Sequence, residues 1–326
     1  MLMLSPQMSI TLLMVRVSRR LHEVQKIKIG FNIMTITASM VKELRERSGA
    51  GMMDCKKALE EVDGDLEAAI EFLRKSGIAK AAKKAGRTAA EGLVLAKQNE
   101  ECVCLVEINC ETDFVANDEN FRSFAELVAE KILAERPKDL EALKNCSTPK
   151  GLIEEMATEL SAKVGEKIDL RRFVAVEKRQ QVAGIYLHGN KIGVITLLDS
   201  SSEGVARDIA MHIAATNPLA IGSEDLQEDV LEKEREIHRS QAEETGKPPE
   251  IIEKMVSGKM KKFIAENTLL GQNYVKDNEK TVAAYLDETK SSISKFYRFE
   301  VGEGVEKKTV DFAEEVAAQA QNSGGS

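Results

Sequence analysis

The stretch GLVLAKQNEECVCLVEIN, Gly92–Asn109, places a polar turn between two apolar runs, and this order decides the fold of the chain. The runs predict two antiparallel strands that are joined by the turn at Gln98–Glu101. The second run is almost wholly apolar, which is typical of a central strand that is buried on both faces. Helical spacing begins at Phe121, with Asn117 or Asp118 as the N-cap, so the unit reads strand, strand, helix.

A second unit with this order follows farther along the chain. RRFVAVEK (171–178) predicts a strand, VAGIYLHGNKIGVITLL (182–198) a hairpin and EGVARDIAMHIAAT (203–216) a helix. A last strand over SKFYRFEV (294–301) completes the second sheet. We therefore predict an α+β protein with two related subdomains, each an antiparallel sheet with a helix, at 87–172 and at 173–220 with 270–304.

Upstream of the first sheet, residues 34–86 predict a bundle of three short helices. Thr37 or Ser39 can cap the first helix, and the third is expected to stop at Gly77 and to run into a linker. The segment GAGMMDCKKAL, 49–59, places a glycine-containing loop before an Ala-Leu helix and resembles the ubiquitin-associated (UBA-like) type of bundle. Such a bundle is an adhesive surface, but it does not identify a partner.

Two long charged helices interrupt the second subdomain at 221–269. Each carries an apolar stripe, and Gly246-Lys247-Pro248-Pro249 between them cannot continue a helix. We predict a protruding antiparallel helical hairpin, or coiled coil. Such hairpins usually pack on themselves, and an apolar stripe that is left over would suit a second copy of the chain, which leaves a homodimer open.

The two ends of the chain lie outside these units. Residues 1–33 are Met-rich and basic, a composition that permits an organellar targeting segment, but we favour Met34 as the start and expect the upstream extension to be misannotated or disordered. Residues 305–326 predict a C-terminal module with a short C-terminal helix over TVDFAEEVAAQAQ (309–321) and a disordered end.

Composition excludes several classes of protein. A formal net charge of -8 and only 4% aromatic residues, with no Trp, disfavour nucleic-acid binding. The five cysteines form no C-x-x-C pair and read as buried thiols, so we predict no metal site. The chain has no phosphate-binding glycine loop, no dinucleotide fingerprint and no nucleophile motif. We therefore expect no cofactor, no nucleotide held by the chain itself and no enzymatic activity.

The loop CETDFVAND, Cys110–Asp118, raises a separate question, because it holds a bulky Phe114 among acids and amides. A loop phenylalanine ordinarily folds back onto its own domain. The chain as a whole, however, combines a small bundle, a loop aromatic, a helical arm and a tail helix. That combination favours a protein that binds another macromolecule at several points.

Three stretches together resemble the bacterial elongation factor Ts family. They are TASMVKELRERSGAGMMDCKKALEE, CETDFVAND and FEVGEGVEKK followed by DFAEEVAAQ. The resemblance runs from about Met34 almost to the end of the chain. It implies a translation elongation factor of the cytoplasm that acts as a non-catalytic guanine-nucleotide exchange factor. Its partner would be the GTPase elongation factor Tu, with no nucleic acid and no membrane involved.

The resemblance also implies the residues that bind this partner. The loop that displaces Mg²⁺ and GDP would consist of Thr112, Asp113, Phe114 and Val115, with Asp113 and Phe114 reaching into the GTPase domain.

Secondary contacts follow by position in the same family. The bundle would dock through Arg45, Met52 and Met53, and for each methionine core packing is the rival role; we expect one of each. His188, in the hairpin of the second subdomain, and Phe312, in the terminal helix, would lie against the partner.

Two other functions remain as alternatives. One is an RNA- or ribosome-associated protein that uses the basic segment Arg74–Arg87, against which the acidic net charge counts. The other is an adaptor led by the UBA-like bundle alone, which leaves most of the chain without a role.

Overall fold

The computed structural model describes residues 36–199 and 202–306. The chain divides into two compact units at Gly77 and Ile78. Residues 1–33 and Phe312, with the C-terminal helix expected at 309–321, lie outside the described residues. Among the helices that are described, none is both long enough and apolar enough to cross a membrane.

The N-terminal unit contains the predicted helices α1 (Ala38–Ser48) and α2 (Met52–Glu61), followed by the start of α3 (Leu66–Lys84). The Thr37 hydroxyl caps α1 by accepting the Met40 amide at 3.3 Å, and Gly49 ends the helix in the left-handed region at φ 66°. The helices enclose a small apolar core of Leu44, Cys55, Ala58, Leu59 and Ala69. The predicted three-helix bundle is confirmed.

The expected end of the third helix at Gly77 is wrong, because α3 continues to Lys84. A glycine inside a helix costs only about 1 kcal/mol relative to alanine. The residues that follow it, Ile78 to Lys84, are mostly alanine and lysine, which favour helix and offset that cost. The linker begins correspondingly later than predicted.

The first sheet has the strand order β1-β2-β5 and is antiparallel throughout. Its strands are β1 (Glu91–Gln98), β2 (Cys102–Cys110) and β5 (Asp169–Glu177). All nine residues of β2 are buried, so its prediction as a central strand is confirmed. Between β2 and β5 the chain forms a single turn α4 (Asp113–Ala116), then α5 (Glu119–Glu135), α6 (Leu140–Lys144), the short pair β3 (Ser147–Thr148) and β4 (Gly151–Leu152), and α7 (Ile153–Val164).

The Asp118 carboxylate caps α5, and Phe121, Phe124, Val128 and Ile132 of this helix pack on the sheet. The cap and the spacing agree with the sequence. The strand β5, by contrast, was predicted to open the second subdomain, and this placement is wrong. The expected boundary between 172 and 173 falls inside β5, which pairs with β2. A half-buried strand pattern states that a strand forms, whereas the sheet that it joins depends on backbone partners elsewhere in the chain.

The second sheet has the order β10-β7-β6 and is also antiparallel. Its strands are β6 (Val182–His188), β7 (Ile192–Asp199) and β10 (Ser292–Glu300), so the last strand completes this sheet as predicted. Helix α8 (Glu203–Thr216) packs on the sheet through Ile209 and Ile213. The remaining elements here are β8 (Asn273–Tyr274), β9 (Asp277–Thr281) and α11 (Val282–Glu288).

The inner faces of the two sheets share an apolar core. Val94, Val103 and Leu105 from the first sheet lie in one cluster with Ile195 and Leu197 from the second. A Cβ atom at position 193, a glycine, would lie 2.4 Å from a methyl group of Val94 and 2.8 Å from one of Leu105. Only glycine therefore allows the sheets to approach this closely.

A fully buried carboxylate ties the first sheet to the turn after the second. Glu107, in β2, accepts from Arg172 Nε at 2.6 Å and from the Gly302 amide at 2.8 Å, with Arg171 at 3.5 Å. Burying a charge is unfavourable unless it is paired and hydrogen-bonded, and Glu107 is both. The sequence pattern did not indicate this role.

The helical hairpin predicted at 221–269 is present. It consists of α9 (Glu228–Glu243) and α10 (Pro249–Asn267), with a turn at Gly246. Ala242, Val256 and Met260 form its own small core, so the two helices do pack on each other. Ile237 and Ile251 are left exposed.

Candidate functional site

The T-D-F-V segment forms the single helical turn α4 directly after the central strand of the first sheet. Thr112 is its N-cap, with an extended backbone and a hydroxyl that accepts the Val115 amide at 3.4 Å. At the other end, Asn117 Nδ2 donates to the carbonyl of Asp113 at 2.9 Å. Both ends of the turn are thus closed by side chains.

The four residues from Asp113 to Ala116 divide into two pairs. Val115 packs against the core of the first sheet and Ala116 is buried. Asp113 is exposed, and Phe114 is 83% exposed, more than any other large hydrophobic side chain in the described residues. This exposure contradicts the interpretation in which Phe114 folds back onto its own domain. An apolar ring with a carboxylate beside it is presented to the outside.

The backbone before the turn is held by Glu166, which follows helix α7. One oxygen of this carboxylate accepts the amides of Glu111 and Thr112 at 3.0 and 2.9 Å, and the other accepts the Thr112 hydroxyl at 2.6 Å. Hydrogen bonds to an ionised group are among the stronger ones in proteins. We call this arrangement, Glu166 with Glu111 and Thr112, the carboxylate clamp.

A second set of contacts supports the same backbone. The Glu111 carboxylate in turn accepts the Lys167 amide at 2.7 Å and pairs with Arg87 at 3.3 Å. Burial raises the pKa of the Cys110 thiol to about 12, so the thiol stays protonated and donates to the Thr112 carbonyl at 3.1 Å. The approach to the turn is therefore fixed from both sides.

Sequence reasoning missed Glu166, Glu111 and Cys110 as supports of the turn. Glu166 stands 54 residues from Thr112, and its only local signal is a position just after Gly165, which ends α7 in the left-handed region. That signal predicts a helix end and no contact with the loop.

The candidate residues of the bundle, Arg45, Met52 and Met53, belong to the N-terminal unit and are all exposed. The two methionines are 59% and 75% exposed, so the expectation that one would be a core residue is wrong. Helix α2 starts at Met52, and its buried side comes from Cys55, Ala58 and Leu59. Three- and four-residue spacing thus turns its first two residues outward.

His188 lies at the end of β6, in the second unit, and is exposed. Its Nδ1 lies 3.3 Å from the hydroxyl of Tyr186, and the two rings stack with centroids 6.4 Å apart. This contact orients the imidazole at the tip of the hairpin. Phe312 lies outside the described residues.

The basic segment Arg74–Arg87 is partly neutralised within the chain. Lys75 pairs with Glu71 at 2.8 Å and Arg87 with Glu111 at 3.3 Å. Intramolecular partners reduce the charge that is available to a phosphate backbone, which weakens the RNA-binding alternative.

Comparison with known proteins decides the family. A family model described as Elongation factor TS matches residues 111–303, a span that starts one residue before the N-cap of the exposed turn. The chain belongs to the elongation factor Ts family. It is 54% identical over 291 residues to "Elongation factor Ts" of Thioalkalivibrio sulfidiphilus, which covers 88% of this chain and 99% of the relative. A second relative with this name, from Alkalilimnicola ehrlichii, is 52% identical over 292 residues, or 89% of this chain and 100% of the relative.

Membership in the elongation factor Ts family makes the protein a translation elongation factor. It also confirms the resemblance that three short stretches of sequence indicated. All four residues of the T-D-F-V turn fall within the matched span, as do Glu166 and His188.

Proposed function

We propose that the protein is a guanine-nucleotide exchange factor that binds the GTPase elongation factor Tu, displaces Mg²⁺ and GDP and allows GTP to enter. The observation that carries this proposal is the 83% exposure of Phe114, beside Asp113, on a turn whose backbone is clamped. Exposing an apolar ring has no benefit for the isolated fold. A partner surface that receives the ring accounts for it.

The mechanism follows from how a GTPase holds its nucleotide. A Mg²⁺ ion and a cradle of backbone amides bind the phosphates through several charge-assisted contacts. A ring that is inserted beside these elements shifts them, and the carboxylate of Asp113 adds a negative charge that competes with phosphate for the same donors. Several contacts to GDP are then lost together, and GDP leaves faster.

The same geometry explains why such a factor would be released again. Exchange factor and nucleotide weaken each other by equal factors, because the coupling between two bound ligands is reciprocal. GTP with Mg²⁺ rebuilds the pocket and expels the ring. The protein itself makes and breaks no covalent bond, so it is not an enzyme in the strict sense.

The secondary contacts add affinity to this core interaction. Arg45, Met52 and Met53 of the bundle, His188 of the second sheet and Phe312 of the tail would each bind elongation factor Tu at a separate point. Each further contact acts at a high effective concentration once the first has formed. Exposed methionines suit such a role because the side chain is flexible and polarisable.

The setting of this function is also part of the proposal. A partner of translation elongation places the protein in the cytoplasm, with no nucleotide bound to the chain itself and no direct role for nucleic acid or membrane. Ile237 and Ile251 on the helical hairpin are 49% and 40% exposed, which supports a homodimer through this element.

The decisive experiment measures the release of fluorescent GDP from elongation factor Tu. Catalytic amounts of the full chain should accelerate release, and an unchanged rate eliminates the proposal. Phe114→Ala should lose most of the acceleration while the protein stays folded. Ile78→Ala is the matched control, because it also removes an exposed large apolar side chain, 55% exposed on α3, and should retain full acceleration.

A further inference from the structure

We propose that Glu166 is a positioning residue for the exposed turn: its carboxylate sets the orientation in which Phe114 reaches the GTPase. The inference rests on the proposed exchange function, since the orientation of the turn has a consequence only where the turn binds a partner. Glu166 itself would not touch the partner. It would act through Thr112.

The carboxylate clamp brings three donors from two consecutive residues to a single side chain. The two amides and the hydroxyl lie between 2.6 and 3.0 Å from the oxygens of Glu166. A carboxylate offers acceptors only, whereas the amide group of glutamine would direct N–H donors at one side of the same set. The geometry therefore requires the ionised acid and not merely a side chain of this size.

The turn depends on this anchor because it is too short to hold its own direction. Helix α4 has four residues, and so short a helix does not offset the unfavourable nucleation step. Its direction is set where its N-cap is fixed. The Thr112 hydroxyl both donates to Glu166 and accepts the Val115 amide, so one side chain links the clamp to the turn. Asp113 and Phe114 lie between these two linked residues.

The clamp is fixed in turn to a rigid part of the fold. Glu166 stands between α7 and β5, and the Ser161 hydroxyl donates to its carbonyl at 2.6 Å. The next residue, Lys167, donates its amide back to Glu111. The exposed turn is thereby attached to the end of a strand that pairs with the fully buried β2.

The test compares GDP release from elongation factor Tu for the full chain and four variants: Glu166→Gln, Glu166→Ala, Phe114→Ala and the double variant of Glu166→Ala with Phe114→Ala. Both single changes at Glu166 should lower kcat/KM for exchange by about tenfold, the effect of losing roughly one charge-assisted hydrogen bond. Phe114→Ala should lose more. In the double variant the loss of Glu166 should add nothing, because the two residues act through one element.

Two controls separate positioning from general stability. Glu159→Gln makes the same change of charge at an exposed residue of α7 and should leave exchange unchanged. Amide hydrogen exchange at 111, 112 and 115 should become faster in Glu166→Gln, while protection along β2 stays as in the wild type.

Each outcome has a distinct meaning. Wild-type exchange by Glu166→Gln beside an inactive Phe114→Ala overturns the positioning role and leaves the exchange function standing. Wild-type exchange by both variants refutes the exchange mechanism itself. An additional loss in the double variant, or faster amide exchange throughout β2, assigns Glu166 a general structural role and also overturns the proposal.

Discussion

Phe114 and Phe121 lie close together in the chain but have opposite surroundings. Phe114 is 83% exposed on the turn α4, whereas Phe121 is completely buried at the start of α5. Two separate caps produce this difference: Thr112 starts the turn, and Asp118 starts a new helix in a different direction. The comparison teaches that two phenylalanines on consecutive elements can divide the work, one binding a partner and the other stabilising the fold.

The largest expected effect is the replacement of Phe121. Phe121→Ala should destabilise the protein by about 3–5 kcal/mol, because it leaves a cavity in the core of the first sheet. Urea unfolding measures this as a lower midpoint. Phe114→Ala is its control and should change the free energy of unfolding by less than about 0.5 kcal/mol, as expected for an exposed side chain. Equal destabilisation by both variants would remove the distinction.

Two glutamates extend the same comparison, with a smaller expected effect. Glu107 is fully buried between two arginines, and Glu166 is half-buried at the turn. Glu107→Gln should cost about 2 kcal/mol of unfolding free energy, which is below the full cost of breaking a buried pair because Arg171 and Arg172 are partly exposed to water.

The free energy of unfolding in urea checks this second prediction. Glu166→Gln should change it much less than Glu107→Gln does, since its donors can turn to water. A larger loss in Glu166→Gln than in Glu107→Gln would assign the stabilising role to the wrong carboxylate.

The smallest expected effect is a dependence on pH in the second sheet. His212 is fully buried on α8, its Nδ1 accepts the Val275 amide at 3.3 Å, and its Nε2 therefore donates to Gln272 Oε1 at 2.9 Å. Burial lowers the pKa of His212 below its usual 6.5. The unfolded chain then binds more protons, so stability is present above the unfolded pKa near 6.5 and is lost as pH falls through the folded pKa.

Urea unfolding at several pH values between neutral and acidic checks this prediction. The stability of the wild type should fall as the pH drops below about 6.5. His212→Gln should show a weaker dependence on pH in that window. An identical pH dependence in both proteins would show that other groups cause it. The turn at Phe114 contains no histidine, so GDP release should not follow the same titration.

Much of the fold was predictable because its signals are local. The apolar run of β2, the cap at Asp118 and the turn at Gly246 each lie within the element that they define. The errors arose where a distant partner decides. β5 joins the first sheet through β2, more than 60 residues away at Arg172 and Glu107, and no pattern within the strand indicates this pairing. Gly77 was taken for a helix end, but the helix formers after it prevailed.

The candidate site divides in the same way. The residues Thr112 to Val115 were found from the sequence by resemblance to a family, and the question of why a phenylalanine stands there was visible in the sequence itself. The exposure of both Met52 and Met53 was not predictable, because a methionine is equally suited to a core and to a surface contact.

The sequence by itself determined the elements, their order and the family, since periodicity, caps and motifs are properties of neighbouring residues. Only the tertiary structure decided that Phe114 faces outward and that Glu166 holds the backbone behind it. The reason is physical: burial and long-range hydrogen bonds depend on which distant atoms come together, and here they join residues 54 and 55 positions apart.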